Sequence, residues 1–104
     1  MKQEWSDAAA VGDLWIDAGT SVLVKGKDIA LFRISDAVYA TDNLCTHGHA
    51  RLCDGFVEGF EIECPLHQGR FDLRTGQATC EPAADAVKTY PVRIDGGRVY
   101  LSLE

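Results

Sequence analysis

The clearest alternation of apolar and polar positions lies at the C-terminal end. Val92 and Ile94 alternate with Arg93, and beyond the turn signal DGG (95–97) Val99, Leu101 and Leu103 alternate with Tyr100 and Ser102. A period of two flanking a Gly-rich turn predicts an antiparallel hairpin with one buried face. A second patterned run, SVLVKGKDIALFRISDAVYATD (21–42), is broken by KGKD (25–28) and SDA (35–37) and predicts a three-strand meander. Its core candidates are Val22, Val24, Ile29, Leu31, Phe32, Ile34, Val38 and Tyr39.

Between residues 43 and 70 this periodicity fades, and Gly, Cys, His, Asp and Glu accumulate, with one short strand candidate in FEIE (60–63). The segment reads as two loops, and loops carried on a rigid scaffold are where functional groups usually lie. No repeat or Pro/Ser-rich linker interrupts the chain, so the expectation is one antiparallel all-β domain. Residues 1–42 and 70–104 form its base, and residues 43–69 form a smaller subdomain.

Composition narrows the function. The 104 residues are 46% hydrophobic and 25% charged, ordinary values for a globular domain that builds a single core. Sixteen acidic against ten basic residues give a formal charge of −6, which disfavours nucleic acid and suits a partner with a basic face. The opening MKQEWSDAAAVGD contains no apolar run of signal-peptide length, and no later stretch approaches a membrane span, so the reading is a cytoplasmic protein that does not enter a membrane. In that compartment four cysteines point to thiols or metal ligands rather than to disulfides.

Two of the cysteines stand beside histidines. Cys45-x-His47 is followed after sixteen residues by Cys64-x-x-His67, which offers one thiolate and one imidazole from each loop. Such a set suits a tetrahedral zinc or a 2Fe-2S cluster with two Cys on one iron and two His on the other. Zinc ribbons usually pair like ligands, whereas a mixed pair on each loop can clamp a dinuclear cluster between two loop tips. Cys53 and Cys80 have no histidine at such spacing and read as plain thiols. Catalysis has little to build on. With His47 and His67 used, only His49 remains for a further iron site, and no G-x-G-x-x-G opens a nucleotide fold.

With CTHGHA (45–50), CPLHQGRFD (64–72), YATDNLCTH (39–47) and TYPVRI (89–94) in view, the chain resembles a Rieske-type 2Fe-2S ferredoxin along essentially its whole length. It is most similar to the stand-alone ferredoxins of bacterial ring-hydroxylating, naphthalene-type dioxygenase systems. The resemblance implies a Rieske fold, a sandwich or barrel-like base carrying a cluster-binding subdomain, and places the ligands on Cys45, His47, Cys64 and His67, with His49 left out. It implies supporting roles around the cluster for Gly48, Pro65, Gln68 and Gly69. It also implies a one-electron carrier, a monomer that shuttles between a flavin-containing ferredoxin reductase and a terminal oxygenase. Candidate docking residues are His49, Leu66, Glu58, Glu61 and Glu63. The competing expectations are a zinc-binding interaction module on the same four residues and a small Rieske subunit of some other reductase or oxygenase.

The resemblance further implies a low midpoint. High-potential Rieske proteins carry a loop disulfide and two hydroxyl donors to the cluster sulfurs. The matching positions here are Ala50 and Leu66, and Gly69 and Phe71, none of which can supply those groups. The expected midpoint is therefore near the low end of the Rieske range, about −150 mV.

Overall fold

The computed structural model describes residues 4–46, 50–66, 68–81 and 85–103. They form eleven strands, and no helix among them exceeds a single three-residue 3-10 turn. The large meander is β2 (Ala18–Val24), β3 (Lys27–Ile34) and β4 (Ala37–Asp42), extended by β9 (Thr89–Tyr90) in the order β2-β3-β4-β9. The C-terminal hairpin, β10 (Val92–Asp95) and β11 (Arg98–Leu101), gains β1 (Ser6–Ala10) as a third antiparallel strand. A third sheet orders β5 (Phe56–Glu58), β6 (Glu61–Glu63), β7 (Arg70–Asp72) and β8 (Ala78–Cys80) in sequence. The ladder of this sheet runs on through β7 as far as Cys80.

β3 is the wall between two cores. Ile29, Ala30, Leu31 and Phe32 are all buried, and alternate side chains leave opposite faces of the strand. Ile29 and Leu31 pack with Leu14, Val24, Val38, Ala40, Tyr90, Val99 and Leu101 in the base. Ala30 and Phe32 pack on the other side with Cys45, Leu52, Ile62, Cys64, Phe71, Leu73 and Val87. Each fully buried Phe, Leu or Ile contributes roughly 1.5–3 kcal/mol relative to exposure, so both faces of the strand are held.

Two details of the hairpin depart from the simple alternation. Ser102 was expected to face outward with Tyr100, but β11 ends at Leu101 and Ser102 turns inward, fully buried, with its N–H donating to the Pro91 carbonyl at 3.1 Å. Ile94, expected inward, is 42% exposed because it sits two residues from the turn at Gly96 and Gly97. Of the meander candidates, Val22, Ile34 and Tyr39 are half-buried and the other five are buried.

Candidate metal centre

Both loops of interest are hairpin tips closed in the same way. In the first, the Cys45 N–H donates to the Ala50 carbonyl at 2.9 Å; in the second, the Cys64 N–H donates to the Gly69 carbonyl at 2.7 Å. Each closure spans five residues from the cysteine. What holds the loops differs. The second stands on the β6–β7 ladder, with Glu63 opposite Arg70. Among the described residues the first has an isolated bridge, Leu44 opposite Arg51, and a Leu52 N–H to Asn43 carbonyl bond of 2.6 Å beneath it.

The cysteines lie deep. Cys45 is 2% exposed and Cys64 fully buried, and the two belong to one apolar cluster behind β3. Their neighbours in sequence point the other way: Leu44 is 57% exposed and Leu66 53%, and Pro65 and Gln68 are exposed as well. Gly69 is buried. Gln68 has a left-handed backbone, φ 62°, and its N–H returns to the Cys64 carbonyl at 3.1 Å, which makes a sharp turn at the cost of local strain. His47, Gly48, His49 and His67 lie outside the described residues.

The acidic residues beside the second loop have a common partner. Arg70 bonds Glu58 at 3.0 Å and Glu63 at 2.9 Å, with Glu61 at 3.6 Å. The hydrogen bonds it donates to Glu58 and then to Glu63 hold the guanidinium in its charged form, well above the ordinary arginine value. Three carboxylates on one cation leave the patch formally −2, and Glu58 remains 76% exposed at its rim. Asp54 is exposed and receives a 3.8 Å contact from the Cys53 Sγ.

Several residues that support the loops carry no signal in the sequence. The Thr46 hydroxyl donates to the Asp85 carbonyl at 2.9 Å, tying the first loop to the chain beyond β8. Asn43 and Arg70 likewise act through partners distant in sequence. Asn43 stands two positions before Cys45, where a polar side chain reads equally well as turn chemistry.

A family profile described as Rieske [2Fe-2S] domain matches residues 4–91. The ferredoxin component of the naphthalene 1,2-dioxygenase/salicylate 5-hydroxylase systems of a Ralstonia species is 56% identical over the whole of both chains. Among solved structures, the ferredoxin of carbazole 1,9a-dioxygenase from Nocardioides aromaticivorans is similar with a TM-score of 0.90 at 38% identity, over 94% of this chain and 96% of that one. A chain in a complex of reduced oxygenase and oxidised ferredoxin of carbazole 1,9a-dioxygenase is similar at TM-score 0.89 and 34% identity, over 99% and 96%. The chain belongs to the Rieske family, whose cofactor is a 2Fe-2S cluster. Within that family it is a ferredoxin, an electron carrier and not a catalyst.

The described residues fit such a cluster. Cys45 and Cys64 belong to one apolar core, each at the base of a loop closed by its own amide, and two soft thiolates are what one iron of a Rieske centre takes. Family membership sets aside the zinc reading of the same four positions.

Proposed function

We propose that this chain passes single electrons from a flavin-containing ferredoxin reductase to the terminal oxygenase of an aromatic ring-hydroxylating dioxygenase system, as a cytoplasmic monomer, with Cys45, His47, Cys64 and His67 as cluster ligands. The observation that carries the reading is the pairing of buried Cys45 and Cys64 beneath two loops of matching closure. When bound, a 2Fe-2S cluster with two Cys and two His ligands supplies a one-electron couple at a higher potential than an all-Cys cluster.

The chain's own residues set the conditions for that exchange. Burial of the cysteines keeps water from their sulfurs, and the amide closures hold both loops in place. Leu44 and Leu66 give an apolar contact surface beside the ligand positions, and Glu58, Glu61 and Glu63 give it an acidic rim. The proposal extends to His49 as a docking residue and Gly48 as a supporting residue, and Pro65, Gln68 and Gly69 shape the second loop. Small, charge-complementary interfaces of this kind suit short encounters between electron-transfer partners.

The test is reconstitution with the reductase and oxygenase of a naphthalene-type system and a nicotinamide donor. Reduction of this chain by the reductase and product formation that depends on adding it are expected. A chain that the reductase cannot reduce, or product that forms equally well without it, would overturn the proposal.

A further inference from the structure

Asn43 lies two positions before Cys45 and is fully buried, although its side chain is polar. All of its polar groups are engaged. Its N–H donates to the Asp28 carbonyl at 3.2 Å, and its carbonyl accepts from the Leu52 N–H at 2.6 Å. Its Nδ2 donates to Asp28 Oδ1 at 3.0 Å, and its Oδ1 accepts from the Cys53 N–H at 2.8 Å. One carboxamide thus joins the start of β3 to both arms of the first loop.

The surroundings make this grip effective. Asp28 is itself fixed by the Ser21 hydroxyl at 2.9 Å and by Arg51 at 3.6 Å. Behind the return arm, Cys53 presses on β2, where a Cβ on Gly19 would lie 2.7 Å from the Cys53 Cα, closer than real side chains come. The return arm is therefore clamped between the Gly19 backbone and the Asn43 side chain. The second loop needs no such clamp, because a three-residue ladder carries it. The first loop has one isolated bridge in place of a ladder.

We propose that Asn43 is the positioning residue of the first ligand loop, its carboxamide doing for Cys45 what the β6–β7 ladder does for Cys64; the proposal rests on reading Cys45 as a cluster ligand. A buried amide that loses its partners is costly, and an aspartate at this position would still accept from Cys53 but would face Asp28 with a second carboxylate. Exchanging the pair, D28N with N43D, restores a donor opposite an acceptor.

The experiment is hydrogen exchange by mass spectrometry on the iron-loaded protein, with iron release to a chelator followed in parallel. If the wild-type protein binds no iron and sulfide, the cluster reading fails, while the exchange pattern still decides whether Asn43 holds the loop. In N43D, exchange over 43–52 is expected to rise about tenfold or more, exchange over 61–72 to stay within about twofold, and iron release to quicken about tenfold. D28N/N43D is expected to return exchange over 43–52 and iron release to within about threefold of wild type. Should N43D fail to fold, a folded double variant with near-wild-type behaviour supports the proposal. Equal rises over both segments in N43D, no change in N43D, or a double variant no better than N43D would overturn it.

Discussion

The backbone of Gly55 meets the carbonyl of Glu63 so closely that a methyl group at residue 55 would fall well inside van der Waals contact with that oxygen. Gly55 follows the return arm of the first loop, and Glu63 immediately precedes Cys64, so this is where the supports of the two ligand loops touch. The Ile62 Cδ1 would also lie 3.2 Å from the added carbon. Backbone cannot yield as a flexible side chain can. Gly55→Ala is expected to cost about 1–3 kcal/mol, read as a fall in the denaturant midpoint with little change in slope. A midpoint equal to that of the wild type would contradict this contact.

Cys53 and Cys80 differ in environment, and their chemistry is expected to follow. Burial pushes the Cys53 thiol up, Asp54 adds to that rise, and the hydrogen bond through Asn43 offsets only part of it. Cys80 is exposed. Since the thiolate is the reactive form, iodoacetamide near pH 7 is expected to label Cys80 about tenfold or more faster than Cys53 in the folded protein. Peptide mass spectrometry over a time course checks this; equal rates would contradict it.

How much of this was legible in the sequence depends on the range of the interactions concerned. The C-terminal hairpin could be read because its strands alternate with period two around a Gly-rich turn, and the meander because runs of Val, Ile, Leu and Phe are separated by Gly- and Asp-containing turns, all within neighbouring residues. β5, β7 and β8 have three residues each, too few to show a period, so their pairing follows from the fold rather than from local pattern. The acidic run 58–63 was visible, but its partner was not: Arg70 lies seven residues from Glu63 and twelve from Glu58. Asn43 was hidden for the same reason, since its side-chain partners are fifteen and ten residues away.

The acidic rim leads to a kinetic expectation. Glu58 and Glu61 are the more exposed of the three carboxylates around Arg70, so neutralising them affects encounter more than folding. E58Q/E61Q is expected to slow reduction by a reductase with a basic face by roughly threefold to tenfold at low salt, with the difference shrinking as salt rises. Stopped-flow rates at several ionic strengths measure it. A double variant with the wild-type rate and salt slope would remove these residues from the docking face.

Phe71 occupies the position where the resemblance to high-potential Rieske proteins would call for a hydroxyl donor, and it is fully buried in the same cluster as Cys45 and Cys64. The wild-type midpoint is expected at about −150 mV. Phe71→Tyr, by offering a hydroxyl to the reduced and more negative state, is expected to raise it by on the order of 60 mV, a tenfold change in a one-electron equilibrium. Potentiometry on both proteins decides this. A positive wild-type midpoint, or a variant that does not move upward, would contradict the account.

The central claim is that two buried cysteines and two histidines hold one 2Fe-2S cluster in this chain. Pulsed electron paramagnetic resonance of the reduced protein, with histidine selectively labelled with nitrogen-15, tests it most directly. The account predicts a paramagnetic signal coupled to two histidine nitrogens, falling to one or none when His47 or His67 is replaced by alanine. A reduced protein that is silent, or a signal with no histidine nitrogen coupling, would contradict it.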